Sequence, residues 1–262
     1  MLAQREARRG VYLDTAAALD PVIFAERAGI VPDRWQRDVL RSSATQQILL
    51  CSRQSGKSTV SAAIAVHTAV YHPNSLILLL SPSLRQSQEL FRKALDVYAG
   101  AGETVPAEVE NKLTLELSNG SRVVSLPGRE ATIRGFSSVS LLIEDEASRV
   151  DDALYMALRP MLAVSQGRIV LLSTPAGKRG HFHAEWMDGG DSWHRTMVTA
   201  HDCPRIDPAW LAAEQRRTPR ATFQQEYECA FTENEDSVFS HDDIRAAITP
   251  DLMPLFPAGG TT

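Results

Sequence analysis

The 262-residue sequence has few cysteines, no long apolar run and no excess of positive charge. Its three cysteines, Cys51, Cys203 and Cys229, are far apart and lack C-x-x-C spacing, which argues against a disulfide framework and against a cysteine metal site. No stretch approaches the roughly 20 apolar residues of a membrane span. The N-terminal MLAQREARRG has no apolar core after it, so we expect no secretory signal. With 44% hydrophobic and 23% charged residues, the composition is that of a globular protein with its own core.

The formal net charge of −5 would ordinarily argue against nucleic acid as a partner. The charge is unevenly distributed along the chain, however. Residues 1–60 carry nine basic and six acidic groups, whereas residues 201–262 carry five basic and eleven acidic groups. Composition therefore leaves DNA binding open, and the motifs have to decide it.

Short apolar runs alternate with helical patterns through the first 200 residues, which predicts an α/β fold with a mostly parallel sheet. Continuous apolar runs suit strands that are buried on both faces. The predicted strands are Gln47–Cys51, Leu76–Ser81, Val139–Glu144 and Arg168–Ser173, and the predicted helices are Lys57–Tyr71, Leu84–Ala99 and Asp151–Leu162.

One segment departs from this alternation. Between Leu113 and Leu126, LTLEL and RVVSL flank Asn119-Gly120, which predicts a β-hairpin inserted in the sheet or added at its edge. Towards the C-terminus, Pro208–Arg217 and Ala221–Cys229 read as short helices. We therefore expect an α/β core over residues 1–200, a small helical lid or linker subdomain over 201–240 and a linker over 241–262.

The segment CSRQSGKST lies between the first predicted strand and the helix that follows it. It matches the phosphate-binding pattern G-x-x-x-x-G-K-S/T, except that Cys51 stands where the first glycine is usual. Gly56 permits close approach of backbone N–H groups to phosphate, Lys57 reaches the β- and γ-phosphates and the Ser58 hydroxyl coordinates Mg²⁺. The candidate nucleotide-binding residues are Ser52, Arg53, Gln54, Ser55, Gly56, Lys57, Ser58 and Thr59.

A second acidic motif, LLIEDEAS, ends an apolar strand downstream. In a nucleoside-triphosphatase site one carboxylate at such a position holds Mg²⁺ and the next activates the attacking water. Three acids run together, and Glu144 still belongs to the strand. We therefore assign Asp145 to the metal and Glu146 to catalysis, and predict hydrolysis of ATP or GTP by a P-loop NTPase fold.

The order of these motifs resembles the ATPase domain of the large terminase subunit, the DNA-packaging motor of tailed bacteriophages. The segments that carry the resemblance extend from about Arg34 to Phe239: CSRQSGKST, LLLSPSLRQSQELFRK, the hairpin, LPGREATIRG, LLIEDEAS and VLLSTPAGKRGHFHAEW. The resemblance implies ATP as the nucleotide. It also implies that Gln36 reads the adenine edge and that Thr174, in Ser173-Thr174-Pro175, senses the γ-phosphate.

Arginines receive roles from the same resemblance. Arg53 resembles the arginine of the family's phosphate loop and could act in cis. Arg134 resembles an arginine finger offered across a ring interface, and Arg129 is its nearby competitor. On this resemblance we expect Arg134 to act in trans. A finger stabilises charge that develops on the transferred phosphoryl group.

The family also implies partners and a location. A large terminase translocates double-stranded DNA by backbone contacts, assembles as a ring on the portal protein, works with a small terminase subunit and docks on the procapsid in the host cytoplasm, without a membrane. Asp242, Asp243 and Asp251 are too few and too close in sequence for a two-metal nuclease site, so we expect no nuclease activity and read 241–262 as a linker toward an absent nuclease domain. Candidate DNA contacts are Arg85, Arg92, Lys93, Lys112, Arg122 and Arg129.

Two alternatives remain at this point. Asp145-Glu146-Ala147-Ser148 is close to the D-E-A-D pattern of helicase-like ATPases, which need a second ATPase-like lobe. The other alternative is a non-catalytic module that assembles when it binds nucleotide.

His181 and His183 are only a weak signal for a metal site, because no third ligand lies at a recognisable spacing.

Overall fold

The computed structural model describes residues 14–128 and 135–232. Within these ranges the chain is helical over residues 14–19 and then forms the elements named here. The helices are α1 (Pro21–Arg27), α2 (Arg34–Arg41), α3 (Lys57–Tyr71), α4 (Leu84–Gly100), α5 (Asp152–Ala163), α6 (Gly180–Asp188), α7 (Pro208–Arg217) and α8 (Arg220–Tyr227). The strands are β1 (Gln46–Cys51), β2 (Leu76–Ser81), β3 (Ala107–Glu110), β4 (Thr114–Leu117), β5 (Arg122–Pro127), β6 (Leu141–Asp145), β7 (Arg168–Ser173) and β8 (Trp193–Val198).

These strands form one sheet in the order β3-β4-β5-β2-β6-β7-β1-β8. The pairs from β5 to β8 are parallel, while β3, β4 and β5 pair antiparallel. The prediction of a mostly parallel α/β fold is confirmed. Two strands were missed: β3 (AEVE) is exposed throughout, and β8 (WHRTMV) is buried only at its two ends, so neither carries the apolar run of a central strand.

The predicted hairpin is present as β4 and β5, and it extends the parallel sheet at one edge. Gly120 has φ +81°, the left-handed conformation that favours glycine in a tight turn. The Asn119 side-chain amide donates to the carbonyl oxygens of Ala69 and Val70, at 2.9 and 3.1 Å. The hairpin turn is therefore attached to the C-terminal end of α3.

Successive residues of the central strands enter two different cores. Leu49, Ile77 and Ile143 pack with α1, α3 and α4, whereas Ile48, Leu78 and Leu142 pack with α5 and α6. This follows from the period of two in a strand, and it covers both faces of the sheet with helices. The same geometry explains why these strands read as continuous apolar runs.

Helices α7 and α8 contribute to a small separate cluster of Ala200, Leu211 and Phe223. Both helices were expected, although α8 begins and ends slightly earlier than predicted.

The remaining expectations concern cysteines, membrane spans and domain boundaries. Cys51, Cys203 and Cys229 are free and buried. In the described ranges no helix is both long and apolar enough to span a membrane. The expected linker over 241–262 lies outside these ranges and stays a prediction, as do the subdomain boundaries.

Candidate active site

The phosphate-binding loop connects β1 to α3 and has two residues with left-handed backbone. Gln54 has φ +59° and Gly56 has φ +94°, and Gly56 directly precedes the first residue of α3. Backbone N–H groups at the start of a helix are not bonded within it, so they are free to bind an anion. Cys51 is completely buried in the core below the loop, where burial raises the pKa of its thiol. The cysteine therefore occupies a core position and does not obstruct the loop.

The carboxylates of the acidic motif meet the first two residues of α3. Ser58 Oγ donates to Asp145 Oδ2 at 3.1 Å, and Lys57 Nζ lies 3.1 Å from Glu146 Oε1. This meeting follows from topology, because β1 and β6 both flank β7 and end at the same edge of the sheet. Burial raises the pKa of Asp145 to about 6, with the nearby Glu146 carboxylate adding to the effect.

The donor set of Ser58 and Asp145 fits Mg²⁺. Mg²⁺ binds oxygen ligands and is usually held by one or two carboxylates together with phosphate oxygens. Asp145 is a buried carboxylate whose raised pKa reflects incomplete compensation of its charge, and a cation would supply that compensation. The assignments of Ser58 and Asp145 as Mg²⁺ ligands stay predictions.

Glu144, the third acid of the motif, belongs to a different site. It is fully buried in β6, and His181 Nε2 at the start of α6 lies 3.2 Å from its Oε1. Burial raises the pKa of Glu144. Burial lowers the pKa of His181, but Glu144 and Asp152 outweigh it, so the net pKa is raised. Tyr155 stacks on the His181 ring with centroids 4.3 Å apart, which makes this histidine part of a buried packing cluster.

Thr174, the candidate γ-phosphate sensor, contacts Glu146 directly, because its Oγ1 donates to Glu146 Oε2 at 3.4 Å. Arg149, which the sequence motifs did not indicate, contacts both residues. Arg149 Nη1 lies 2.8 Å from Glu146 Oε2 and 3.1 Å from Thr174 Oγ1. The spacing of three residues between Glu146 and Arg149 is a signal that could have indicated the contact. Glu146 itself has φ +55°, which is rare outside glycine and places its carboxylate in the cleft with backbone strain.

Arg53 of the loop pairs with Glu226 of α8, and its backbone N–H donates to the Glu226 carbonyl at 3.0 Å. Arg149 Nη2 lies 4.0 Å from the same carboxylate. Helix α8 is therefore held against the loop by one acidic residue. The two residues are more than 170 positions apart in sequence, and no local signal connects them.

Gln36 is buried against the same loop. Its Oε1 accepts from the Asp33 backbone at 2.8 Å and its Nε2 lies 3.5 Å from the Gly56 carbonyl. Arg205, which follows β8 and which the sequence did not suggest, donates to the Ser55 carbonyl and to Asp33 Oδ1, both at 2.8 Å. The adenine role of Gln36 is untested by these contacts, which show a residue that supports the loop.

A cleft of about 570 Å³ connects these groups. It is lined by loop residues 53–59 and by Gln86, Lys93, Glu146, Arg149, Thr174 and Arg205. Lys93, a candidate DNA contact, therefore lies in this cleft. Arg85, Arg92, Lys112 and Arg122 are exposed elsewhere. Arg129, Arg134, Asp242, Asp243 and Asp251 lie outside the described residues, and their roles stay predictions.

Comparisons with known proteins identify the family. The sequence model described as "Terminase large subunit, T4likevirus-type, N-terminal" matches residues 48–246. The large terminase subunit of Thermus virus P23-45 is 25% identical over 257 residues, covering 84% of this chain and 53% of that protein. That of Escherichia phage T5 is 26% identical over 196 residues, covering 72% of this chain and 44% of the relative. The chain spans about half the length of these relatives.

Solved structures share the fold. The large terminase ATPase domain of Thermus phage P74-26 superposes with a TM-score of 0.71 at 23% identity, covering 80% of this chain and 97% of that one. The large terminase of bacteriophage HK97 superposes with a TM-score of 0.64 at 19% identity, covering 77% of this chain and 51% of that one. The family match spans most of the chain, including the phosphate-binding loop, the acidic strand end and Thr174. This chain therefore belongs to the terminase large subunit family, and its residues 48–246 match the N-terminal, T4likevirus-type region of that family.

Proposed function

We propose that this chain is the ATP-hydrolysing motor domain of a viral DNA-packaging terminase. The observation that carries the proposal is the convergence of Lys57, Ser58, Glu146 and Thr174 in one cleft, with Asp145 buried beside it and bonded to Ser58. A large terminase from a thermophilic bacteriophage, similar in fold with TM-scores of 0.65 and 0.64, has been solved with ADP and with ATP-gamma-S. That relative supports an adenine nucleotide as the occupant of the cleft.

Lys57 and Glu146 exchange partners in the proposed reaction. In the structure the Lys57 ammonium pairs with Glu146 Oε1. The β- and γ-phosphates carry more negative charge than a carboxylate, so ATP draws Lys57 away and leaves Oε1 free. Glu146 then accepts a proton from a water that attacks the γ-phosphorus, while the bond from that phosphorus to the oxygen retained by ADP breaks. Mg²⁺ held by Ser58 and Asp145 would neutralise charge on the phosphates.

Two arginines complete the proposed site. Arg53 supports the loop or the nucleotide in cis. Arg134 acts as a finger in trans, stabilising the charge that develops on the transferred phosphoryl group.

For the assembled motor we propose a ring on the portal protein, a small terminase partner and contacts with the backbone of double-stranded DNA. We place this assembly in the host cytoplasm, docked on the procapsid. Arg85, Arg92, Lys112, Arg122 and Arg129 are the proposed DNA contacts, and Lys93 is one that the cleft also includes.

The decisive experiment is a single-turnover measurement of phosphate release with the protein in excess over ATP. We expect Glu146→Gln to slow release by a factor on the order of 100 or more, because removal of a general base typically costs about 10²–10⁴-fold. Binding of ATP-gamma-S should be retained, since Gln keeps the size of the side chain and leaves Lys57 available for phosphate.

A matched control is Glu108→Gln on the exposed edge strand β3, which should release phosphate at the wild-type rate. A wild-type chain that binds ATP without releasing phosphate would favour the non-catalytic assembly module. Release that Glu146→Gln leaves unchanged would contradict the assignment of the catalytic carboxylate.

A further inference from the structure

Arg149 lies at the point where the acidic motif meets the end of β7. It is the last residue of a single 3₁₀ turn, Ala147–Arg149, that begins directly after Glu146. Its side chain lines the nucleotide cleft and is about one-third exposed. An arginine there can reach groups on both sides of the cleft floor.

Three groups surround the Arg149 guanidinium. Nη1 donates to both Glu146 Oε2 and Thr174 Oγ1, and Thr174 Oγ1 itself donates to Glu146 Oε2 at 3.4 Å. Nη2 lies 4.0 Å from Glu226 Oε1. A planar guanidinium with several fixed donors is suited to hold two acceptors in one arrangement. Arg149 thus bonds to both members of the pair formed by the candidate catalytic carboxylate and the candidate γ-phosphate sensor, and reinforces their direct but long hydrogen bond.

The backbone that carries Arg149 is anchored to the same strand end. Ser148 Oγ lies 2.6 Å from Ser173 Oγ and donates to the Thr174 carbonyl at 2.7 Å. The Ser148 N–H also donates to Ser173 Oγ at 3.2 Å. Since the turn is attached to β7 by three hydrogen bonds, the base of the Arg149 side chain is fixed relative to Thr174.

The two oxygens of Glu146 therefore have different partners. Oε1 faces Lys57 and Oε2 faces Arg149. In the proposed function, ATP removes Lys57 from Oε1, whereas nothing in that step removes Arg149 from Oε2. The carboxylate would then keep one oxygen fixed and present the other.

We propose that Arg149 is a positioning residue for ATP hydrolysis, which holds Glu146 Oε2 and the Thr174 hydroxyl together so that Glu146 Oε1 faces the attacking water. This inference rests on the proposed function and adds a residue to it. A residue of this kind acts through Glu146, so it affects the rate of the chemical step more than the affinity for nucleotide.

The test compares Arg149→Ala, Arg149→Lys and Thr174→Val in single-turnover phosphate release at saturating protein. We expect Arg149→Ala to slow release by about 10- to 100-fold, because displacing a catalytic group by about 1 Å can cost on the order of 100-fold in rate. Affinities for ATP-gamma-S and for ADP should each stay within about threefold of wild type, which corresponds to under 1 kcal/mol. Arg149→Lys should recover part of the rate, because it keeps a charged donor near Oε2.

Two further measurements separate positioning from other roles. The double variant Arg149→Ala/Thr174→Val should be no slower than the slower single variant, because residues that act as one unit are not additive. Arg159→Ala is the matched control, since Arg159 pairs with Glu185 outside the nucleotide cleft and should release phosphate at the wild-type rate.

Several results would overturn the inference. A wild-type rate in Arg149→Ala would do so while leaving the proposed function intact. A selective loss of ATP-gamma-S affinity relative to ADP would instead indicate direct contact between Arg149 and the γ-phosphate. A wild-type chain that neither binds nor hydrolyses ATP would overturn the proposed function and this inference together.

Discussion

At the residue scale, Gly56 tolerates little change. Its φ is +94°, and an added Cβ would lie 2.7 Å from Gln36 Nε2 and 3.0 Å from Arg205 Nη2. Both contacts are shorter than normal van der Waals separation, so Gln36 and Arg205 would have to move. The glycine therefore serves the backbone conformation of the loop and the close packing of two supporting side chains.

We expect Gly56→Ala to lower the affinity for ATP-gamma-S by about tenfold or more, because 1.4 kcal/mol of distortion in the loop is enough for that change. Binding titration measures the affinity and thermal unfolding measures the stability. Gly29→Ala is the matched control. Gly29 has φ +81° with no atom within 4 Å of the added Cβ, so that variant should lose stability without losing affinity. Equal affinity in wild type and Gly56→Ala would contradict the proposed loop function.

A second residue-scale prediction concerns His67 in α3. Its Nε2 lies 3.1 Å from the Ala17 carbonyl, and its ring packs edge-on against Phe24. Burial lowers the pKa of His67 to about 4, and the nearby His72 and Arg168 contribute in the same direction. The His67 imidazole therefore binds a proton near pH 6.5 in the unfolded chain but only near pH 4 in the folded chain.

The sign follows from this difference in proton uptake. The contribution of His67 is fully present above about pH 6.5 and is lost as the pH falls toward about 4. Between about pH 7.5 and about pH 5 the loss amounts to about 2 kcal/mol in the free energy of unfolding. Urea unfolding at both pH values should show this loss in wild type and a smaller one in His67→Phe. The same pH dependence in both proteins would contradict the assignment.

At the scale of elements, α7 and α8 depend on very few buried side chains. Their cluster contains Ala200, Leu211 and Phe223, with Ile206 and Tyr227 packed against it. The main cores, in contrast, include residues from the central strands and from helices on each face. Helices packed by so small a cluster are expected to unfold locally at a lower free energy than the sheet. Because Glu226 of α8 pairs with Arg53, local unfolding of α8 would also break a contact of the phosphate-binding loop.

Phe223→Ala should destabilise the α7–α8 pair by about 2–4 kcal/mol, near the lower range for removing a buried aromatic side chain. Amide hydrogen exchange measures this directly. Exchange in α8 should become faster while exchange in β1 and β6 stays unchanged. Val164→Ala is the control, because Val164 lies outside α7 and α8 and is 83% exposed. Equal acceleration throughout the chain would show that the helices and the sheet unfold as one unit.

At the scale of the whole molecule, the proposed motor needs more than one chain. If Arg134 completes the site of a neighbouring copy, the rate per molecule should rise with protein concentration, because isolated copies lack the finger. Arg134→Ala should then abolish turnover and keep ATP-gamma-S binding, since a finger acts in the transition state.

Mixing two inactive variants gives the sharper version of this test. Arg134→Ala keeps Glu146, and Glu146→Gln keeps Arg134, so a mixed assembly contains some complete sites. Steady-state phosphate release should therefore reappear when the two proteins are combined at high concentration. Absence of activity in the mixture, together with full activity of dilute wild-type protein, would contradict a finger acting in trans.

The sequence by itself determined the parts of this protein that depend on local pattern. Continuous apolar runs marked the buried parallel strands, Asn119-Gly120 marked the hairpin, and Gly56-Lys57-Ser58 marked the phosphate-binding loop. Each signal lies within a few residues, because backbone preference, strand burial and turn geometry are local properties. The exposed strand β3 and the partly buried β8 were missed because their pairing depends on neighbouring strands.

Only the tertiary structure decided which distant side chains meet in the cleft. Sheet order places the ends of β6, β7 and β1 together, which brings Asp145 to Ser58 and Arg149 to Thr174. Contacts such as Arg53 with Glu226 and Arg205 with Asp33 join residues more than 170 positions apart. Their formation depends on how helices and loops pack over the sheet edge, and no short-range pattern in the sequence encodes that packing.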